Sequence, residues 1–518
     1  MDSQTLQILI SMVSYMAVVV AIGLIFAKRA NQSSEDYFLG GRSLGPWVTA
    51  MSAEASDMSG WLLMGLPGVA YWCGLADAAW TAIGLALGTY FNWLIVSKRL
   101  RRYSERVDAI TLPDFFSNRF HENKKVIMSL SALFILVFFT VYAASCFVTC
   151  GKLFSTLFGL PYIPMMIAGA IFVLIYTVLG GFLAESASDF MQAIVMIVAL
   201  TVIVVINTQH AGGLGAVIEN AKSIPGFFEF FGLATPVLDT SGMQTVADGA
   251  PVFGDAAKYS FLSICSMMAW GLGYFGMPQV LLRFMAIRKE EELERSRKIA
   301  MIWVVISLGV AVFIGIVGRT LYPVVHLTAS DAENIFITLA TNSLPPIIAG
   351  LVMAGILAAT ISSSDSYLLI AASAFAKNIY QGTLKKDADD KQVMNVSRIT
   401  LLAIALISVV IALDENSIIF NVVSFAWAGF GATFGPIMVF SLFWKRTTAQ
   451  GAIAGMVSGA GMVFLWKLVI SKLGGIFTIY ELLPAFIVSS VCIVVVSLMT
   501  PQPSEIICQD FDVVSSKN

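Results

Sequence analysis

The sequence AEASDMSGWLLMGLPG, residues 53–68, lies inside an apolar segment near 46–74 that is long enough to cross a lipid bilayer. It nevertheless holds two carboxylates, Glu54 and Asp57, together with two serines, three glycines and a proline. Ionisable residues inside a membrane are costly and usually mark the path of an ion or a substrate. Irregular backbone at this depth is tolerated only where it lines a cavity. The stretch therefore predicts an interrupted membrane helix that builds a polar site.

The composition indicates that the chain resides in a membrane. Its 518 residues are 58% hydrophobic and 12% charged, whereas soluble domains carry about 25% charged residues. The formal net charge of −2 argues against a nucleic-acid partner. The sequence contains no CxxC pair, no cluster with metal-ligand spacing and no Ser/His/Asp arrangement. We therefore expect a membrane protein that is not an enzyme, whose partner is the lipid bilayer, with no obligate protein partner evident.

Apolar segments of about 20 residues predict thirteen membrane spans. They lie near 6–27, 46–74, 78–97, 127–156, 162–182, 188–208, 258–286, 299–322, 345–376, 397–413, 420–443, 450–470 and 477–499. With the N-terminus outside, the loops on the cytoplasmic side carry 25 of the 31 Lys and Arg residues, in agreement with the positive-inside rule. We therefore expect an all-α polytopic membrane protein with its N-terminus outside and its C-terminus inside.

A second interrupted span follows five helices later. The sequence AWGLGYFGMP, residues 269–278, holds three glycines, a proline and three aromatic residues. Either interruption alone could be a structural kink, but paired interruptions in corresponding positions of two halves point to the central site of a transporter. This spacing fits two five-helix repeats, at about 46–208 and 258–443.

We expect a single transporter domain over residues 1–500, in which the remaining spans are helices added to the two repeats. These extra helices are 6–27, 450–470 and 477–499. The polar residues 501–518 are expected to form a disordered cytoplasmic tail.

A run of hydroxyl residues supplies a third polar element. In AGILAATISSSDSY, residues 354–367, the side chains of Ala359, Ser362, Ser363 and Ser366 share one helix face. Membrane serines often only pack or bond across helices. Hydroxyl oxygens combined with free backbone carbonyls are, however, the ligands that a hard cation such as sodium prefers.

Four motifs resemble the sodium:solute symporter family, in particular its bacterial members that import proline. These motifs are EDYFLGGRSLGP at 35–46, SAEASDMSGWLLMGLPG at 52–68, WGLGYFGMP at 270–278 and SFAWAGFGATFGP at 424–436. The resemblance runs from about residue 6 to 500. It implies a LeuT-type core of ten helices in two inverted repeats, formed by spans two to eleven. It also implies cotransport of sodium and proline across a bacterial cell membrane.

The resemblance also implies specific site residues. Sodium would be held by the backbone oxygens of Ala55, Met58 and Ala359 and by the hydroxyls of Ser362 and Ser363. Asp57 matches an aspartate linked to tight sodium binding. The residues at matching positions of the proline site are Ser59, Gly60, Trp61, Tyr142, Trp270, Tyr274 and Pro278. Aromatic walls suit a pyrrolidine ring, and aromatic faces attract its ammonium group.

Two carboxylates depart from the expected pattern. Glu54 lies beside the sodium-site backbone, where we expect it to face a packed or hydrated pocket away from the ion. Asp365 stands where a hydroxyl is typical, and with Asp189, Ser362 and Ser366 it matches a second sodium site of some relatives. The alternatives for this group are a release path for sodium or a solvated aspartate in the inward vestibule.

Other functions remain compatible with the same sequence. The fold could carry another small amino acid or a carboxylate, coupled to sodium or to protons, with Asp57 or Asp365 as proton sites. A membrane sensor is a further class, although the tail after residue 500 is too short for a kinase domain.

Overall fold

The computed structural model describes residues 3–30, 34–179 and 181–516. The α-helices are α1 (Ser3–Ala30), α2 (Ser34–Leu39), α3 (Pro46–Asp57), α4 (Leu66–Cys73), α5 (Leu75–Phe91), α6 (Ser97–Arg106), α7 (Leu112–Arg119), α8 (Val126–Phe158), α9 (Tyr162–Leu179), α10 (Phe182–His210), α11 (Leu214–Ser223), α12 (Phe261–Met268), α13 (Trp270–Gly273), α14 (Pro278–Ala286), α15 (Leu293–Leu321), α16 (Ala329–Ala332), α17 (Ile335–Ser343), α18 (Pro346–Ser373), α19 (Asp390–Ile411), α20 (Ile419–Phe443), α21 (Ala449–Leu468), α22 (Leu482–Met499) and α23 (Glu505–Ser515).

Shorter elements complete the chain. The π-helical segments are Trp61–Gly65, Asn92–Val96 and Ala374–Leu384. The 3₁₀ turns are Gly40–Arg42, Glu290–Glu292, Ile470–Leu473 and Gly475–Thr478. The strands are β1 (Gly232–Leu233), β2 (Val246–Ala247), β3 (Ala250–Pro251) and β4 (Ala257–Lys258). β1 pairs with β4 and β2 pairs with β3, both antiparallel, within the long loop before α12.

Among the described residues, ten helices are long and apolar enough to cross a membrane, and three shorter apolar helices accompany them. The three shorter ones are Trp61–Cys73, Tyr162–Ile175 and Phe261–Gly273. Each of the thirteen predicted segments overlaps one of these helices. The predominantly helical polytopic architecture is therefore confirmed, while the count of thirteen spans and the orientation of the termini remain predictions.

Both predicted interruptions are present. α3 ends at Asp57, and the next residue, Met58, leaves the helical region with φ −87° and ψ 76°. In the second span α13 ends at Gly273, and Met277 is extended with φ −76° and ψ 109°. Pro278 then starts α14, where its missing N–H and fixed φ are favourable. We call Pro46–Cys73 the first interrupted helix and Phe261–Ala286 the second.

The second interrupted helix packs against α5 backbone to backbone. A Cβ atom on Gly88 would lie 2.2 Å from the carbonyl oxygen of Gly271. A Cβ atom on Gly84 would lie 2.6 Å from the backbone of Met268. Neither glycine could therefore carry a side chain without moving one of the two helices.

The predicted disorder of the tail is wrong for residues 505–515, which form α23. Asp510 accepts hydrogen bonds from Arg106 and pairs with His121, both at 2.9 Å. Lys445 donates to Asp512 at 2.6 Å. Phe511 is buried. An apolar stripe and acidic residues facing basic ends of other helices thus fold a segment that looks merely polar in sequence.

Candidate ion and substrate site

Asp57 joins the two interrupted helices. Its carboxylate is fully buried and accepts hydrogen bonds from the Tyr274 hydroxyl at 2.8 Å and from the Gln279 amide at 3.0 Å. The Asp57 carbonyl accepts from the indole N–H of Trp61 at 3.3 Å and faces the Tyr142 hydroxyl at 3.5 Å. One residue at the end of α3 therefore contacts α8 and both sides of the break that precedes α14. We call Asp57 and these partners the central site.

The predicted sodium ligands on α3 and α18 lie together. The Ala55 carbonyl accepts from the Ser362 hydroxyl at 2.8 Å and from the Ser363 hydroxyl at 3.3 Å. Ser362 also lies 3.3 Å from the carbonyl oxygen of Ala359. Met58 is buried in the interruption that follows α3. Several neutral oxygens thus converge beside the break, and such an oxygen set suits a hard monovalent cation.

The predicted aromatic residues form a packed cluster. The ring of Trp270 lies 6.2 Å from that of Trp61, and both are buried. Tyr274 packs edge-on against Trp427 at 5.0 Å. Pro278 lies just beyond, at the first residue of α14.

Sequence reasoning missed three further members of the aromatic cluster. Trp270 contacts Phe420 at 5.0 Å, Tyr480 at 5.1 Å and Trp427 at 5.9 Å. The indole N–H of Trp427 donates to the Trp270 carbonyl at 2.8 Å. Trp427 lies within the quoted SFAWAGFGATFGP motif, so that motif was the signal which could have identified it.

Ser59 and Gly60 occupy different surroundings within the break. The Ser59 hydroxyl is buried and has no hydrogen-bond partner among the described residues. Gly60 packs against Thr149, because a Cβ atom on Gly60 would lie 2.4 Å from that side chain. Ser59 therefore offers a polar atom to a ligand, whereas Gly60 permits the close approach of α8.

Tyr142 belongs to a separate aromatic stack. Its ring lies 4.2 Å from that of Tyr367, and the ring of Phe139 stacks on Tyr367 at 5.1 Å. Since Tyr367 follows the serine run on α18, this stack links the aromatic wall to the predicted sodium ligands.

A second polar centre surrounds Arg283 on α14. This guanidinium is fully buried and donates to Glu185, to Asp189 at 3.2 Å and to Ser366 at 3.0 Å. It also donates to Ser52 at 3.0 Å. Helices α3, α10, α14 and α18 therefore meet at one cation.

Each of two hydroxyls bridges the guanidinium to one carboxylate of this centre. Ser52 donates to Asp189 at 2.7 Å, and Ser366 donates to Glu185. The Asp365 carboxylate accepts from the Ser366 N–H at 2.8 Å. We call these six residues the Arg283 cluster: Ser52, Glu185, Asp189, Arg283, Asp365 and Ser366.

The Arg283 cluster changes three expectations. Arg283, near the end of the predicted span 258–286, is one of the 25 residues counted as cytoplasmic loop charges, but it lies inside α14 and is fully buried. Glu185 was missed, although it lies four residues before Asp189 on α10 and therefore on the same helix face. Asp365 is only 2% exposed, so the alternative of a solvated aspartate is wrong for this structure.

Glu54 has packed surroundings. One carboxylate oxygen accepts from the Trp93 indole N–H at 3.2 Å, and Trp93 in turn packs against Phe284 at 4.5 Å. The other oxygen is buried without a partner among the described residues. The Glu54 carboxylate therefore lies against packed aromatic side chains.

A cavity of about 300 Å³ adjoins the aromatic cluster. Asp77 and Glu333 contribute carboxylates to its mainly apolar wall, and Phe420 lines it while also packing on Trp270. Lys152 bonds Glu333 at 2.7 Å, and Glu333 accepts the N–H groups of Ile419 and Phe420 at 2.9 and 3.0 Å. Phe420 therefore separates this cavity from the buried aromatic residues.

Comparison with known proteins places these features in a family. Residues 37–459 match the model of the sodium:solute symporter family. The chain is 40% identical over 489 residues to the high-affinity proline transporter PutP of Bacillus subtilis (strain 168), covering 94% of this chain and 97% of that protein. It is 39% identical over 507 residues to the sodium/proline symporter of Staphylococcus aureus (strain USA300), covering 96% and 94%.

Solved structures share the fold. A Na⁺-coupled sialic acid symporter in a substrate-bound outward-open state aligns with a TM-score of 0.77 at 18% identity, covering 96% of this chain and 99% of that chain. MhsT in complex with L-phenylalanine aligns with a TM-score of 0.51 at 14% identity, covering 87% and 97%. At such identities the likeness concerns the fold, which is that of LeuT-type transporters. On the family match and the similarity to its curated members, the chain belongs to the sodium:solute symporter family.

Proposed function

We propose that the protein is a sodium-coupled symporter that imports L-proline by alternating access. The observation that carries this proposal is the meeting of Ala55, Ser362 and Ser363 beside a break whose Asp57 contacts the second interrupted helix. The names of the Bacillus and Staphylococcus relatives support proline as the substrate. The gradient of sodium, rather than covalent chemistry, supplies the driving force.

Sodium binds between α3 and α18 in this proposal. The carbonyls of Ala55, Met58 and Ala359 and the hydroxyls of Ser362 and Ser363 are its ligands. The two hydroxyls now donate to the Ala55 carbonyl. They can rotate so that their oxygens face the ion, which replaces hydrogen bonds with ion contacts and draws α18 towards the break. Asp57 stabilises the cation from nearby and orients the Tyr274 hydroxyl.

Proline binds beside the break, against the aromatic cluster. Trp61, Trp270 and Tyr274 provide apolar walls for the ring, and aromatic faces attract its ammonium. Ser59 and the amide groups freed by the break can bind the carboxylate, since the N-terminal end of a half-helix carries positive partial charge. Gly60, Tyr142 and Pro278 are the further residues of this site, and they shape it by close packing.

Alternating access requires one barrier on each side of the site. Phe420 forms the barrier towards the 300 Å³ cavity, which under the expected orientation opens to the outside. The Arg283 cluster forms the barrier towards the cytoplasm, because it ties four helices together. A ligand shifts the balance between the two open forms only through its different affinity for each form.

The Arg283 cluster also supplies a second cation site or a release path. The members proposed for this role are Asp189, Ser362, Asp365 and Ser366. Three buried carboxylates face a single guanidinium, so a further positive charge is needed nearby when all three are ionised. Sodium moving inward from Ser362 would meet these carboxylates.

In the expected topology thirteen helices span the bacterial cell membrane, with the N-terminus outside and the C-terminus inside. Uptake of radiolabelled proline into proteoliposomes, with and without an inward sodium gradient, tests the function. Sodium-driven accumulation that unlabelled proline competes away supports the proposal. Accumulation that a proton gradient drives without sodium would contradict the coupling to sodium. Competition only by another amino acid or a carboxylate would contradict proline as the substrate.

The ratio of sodium to proline fluxes tests the second cation site. A ratio near two that falls to one in Asp365→Ala supports a second site, whereas a ratio of one in the unmodified protein leaves the release path.

A further inference from the structure

Gln279 contacts both polar centres of the molecule. It is the second residue of α14 and is fully buried. Its side-chain amide donates to the Asp57 carboxylate at 3.0 Å. Its backbone carbonyl accepts from the guanidinium of Arg283 at 3.1 Å. Gln279 therefore touches both the central site and the Arg283 cluster, and the two centres lie one turn of α14 apart.

The side-chain oxygen of Gln279 has no hydrogen-bond partner in the described part of the chain. A buried amide oxygen without a partner is unfavourable, and an apolar side chain of the same size would avoid that cost. The donor end of the amide is the part that the structure uses. Gln279 is thus placed to hold Asp57 rather than to fill space.

The far end of this connection reaches two other helices. Arg283 lies four residues after Gln279 and donates to Asp189 on α10 and to Ser366 on α18. A turn of α-helix is rigid, so a displacement of Gln279 towards or away from Asp57 moves the guanidinium relative to its partners. The geometry can therefore transmit a change at the central site to the cytoplasmic barrier.

We propose that Gln279 is a positioning residue that couples sodium binding near Asp57 to the Arg283 cluster. This inference rests on the proposed sodium-coupled transport. When Gln279 holds Asp57, α14 stays against α3 and the Arg283 cluster stays closed. Binding of sodium and proline redirects the Asp57 carboxylate, which loosens that hydrogen bond and releases α14. Loss of the Gln279 donor should then disconnect the effect of sodium from the affinity for proline.

The test compares two buried glutamines. Gln279→Met keeps the size of the side chain and removes the donor, and Gln192→Met does the same on α10. The Gln192 side chain is buried without a hydrogen-bond partner among the described residues. The dissociation constant of radiolabelled proline is measured for each purified protein, first in sodium-free buffer and then at saturating sodium.

The ratio of these two constants measures the coupling between sodium and proline, which is typically about 5- to 150-fold between linked sites. We expect Gln279→Met to reduce the ratio about fivefold or more, while Gln192→Met keeps it within about twofold of the unmodified protein. An unchanged ratio in Gln279→Met would overturn the role of Gln279. If sodium does not affect proline binding in the unmodified protein, the proposed function itself fails.

Arg283→Lys provides an independent test that does not depend on the folding of the Gln279 variant. Lysine keeps the charge but cannot form the forked contacts of arginine. We expect the same loss of coupling, and the double variant Gln279→Met/Arg283→Lys should lose no more than either single variant. Full coupling in Arg283→Lys, or additive losses in the double variant, would overturn the proposal.

Discussion

The central site and the Arg283 cluster lie one helical turn apart along α14, yet their chemistry differs. At the central site a single carboxylate, Asp57, receives neutral donors from Tyr274 and Gln279. In the Arg283 cluster three carboxylates surround one guanidinium. Neutral hydrogen bonds exchange readily with a ligand, whereas a buried charge left without its partner costs several kcal/mol. The comparison indicates that the first centre is built for binding and the second for closure.

Removal of the guanidinium should have the largest effect. Arg283→Ala leaves the carboxylates of Glu185 and Asp189 buried without their cation, a change that destabilises proteins by about 3–5 kcal/mol. We expect little folded protein after detergent extraction and a clearly lower melting temperature. Arg283→Lys, which retains the charge, should recover most of the yield. A stable Arg283→Ala protein would mean that the cluster is not held by charge.

Neutralising Asp57 should alter function more than folding. In Asp57→Asn the negative charge beside the cation is lost, and hydrogen bonds to a charged group, worth about 1.5–3 kcal/mol each, become neutral ones worth about 0.5–1.5 kcal/mol. We expect the half-saturating sodium concentration to rise about tenfold or more. Sodium activation of proline uptake, measured at equal amounts of inserted protein, checks this. Glu54→Gln is the matched control, because Glu54 contacts Trp93 instead of the second interrupted helix. Equal effects in the two variants would contradict the special position of Asp57.

Loss of one aromatic wall should have an intermediate effect on substrate binding. Trp270→Ala removes a ring from the aromatic cluster, and a cation–π contact is worth about 0.5–2 kcal/mol, or about 2- to 30-fold in the half-saturating proline concentration. Trp303→Ala is the control, since Trp303 is also a buried tryptophan but donates to the Ala193 carbonyl on α10. An equal change in the half-saturating proline concentration of both variants would contradict a contact between proline and Trp270.

The ion pairs of α23 should contribute least, because each of them includes at least one side chain that is about half-exposed. Burial raises the pKa of Asp510, but hydrogen bonds from His121 and Arg106 outweigh it, so the pKa lies below its ordinary value. A carboxyl with a lowered pKa stabilises the fold above the ordinary aspartate pKa of about 3.9, and this contribution is lost as the pH falls through the folded-state pKa.

Asp510→Asn therefore tests whether the ion pairs of α23 stabilise the protein less than the Arg283 cluster does. We expect a loss of at most about 1 kcal/mol at pH 7, seen as faster proteolysis of α23 or a small fall in melting temperature. Added salt should reduce the difference from the unmodified protein. A loss of stability as large as that of Arg283→Ala would contradict the idea that the ion pairs of α23 are weak because they are more exposed than the Arg283 cluster.

The sequence predicted the elements whose signal is local. The interruptions follow from the glycines after Asp57 and from the glycines that precede Pro278. The face shared by Ser362 and Ser363 follows from helix periodicity. The resemblance added the pairing of that face with Ala55. These residues could be assigned because each motif holds its own polar atoms within one or two turns.

The remaining features depend on contacts between distant segments. Arg283 looked like a loop cation because it lies near the end of an apolar span, and only its contact with Glu185 on α10 reveals that it is buried. Phe420 and Tyr480 are ordinary aromatic residues until Trp270 is placed between them. α23 looked disordered because its partners, including Arg106, lie about four hundred residues earlier. Tertiary packing, rather than local pattern, determines these features.

The contact between α5 and the second interrupted helix also bears on how the protein tolerates mutation. Because backbone touches backbone at Gly88 and Gly271, no side chain is available there to change rotamer and absorb a substitution. In a saturation library selected for proline uptake, these positions should form a narrow stripe where even alanine is eliminated. Adjacent helix faces that carry side chains would keep many alternatives. Such a stripe would indicate that α5 and the adjoining part of the second interrupted helix move together during each transport cycle.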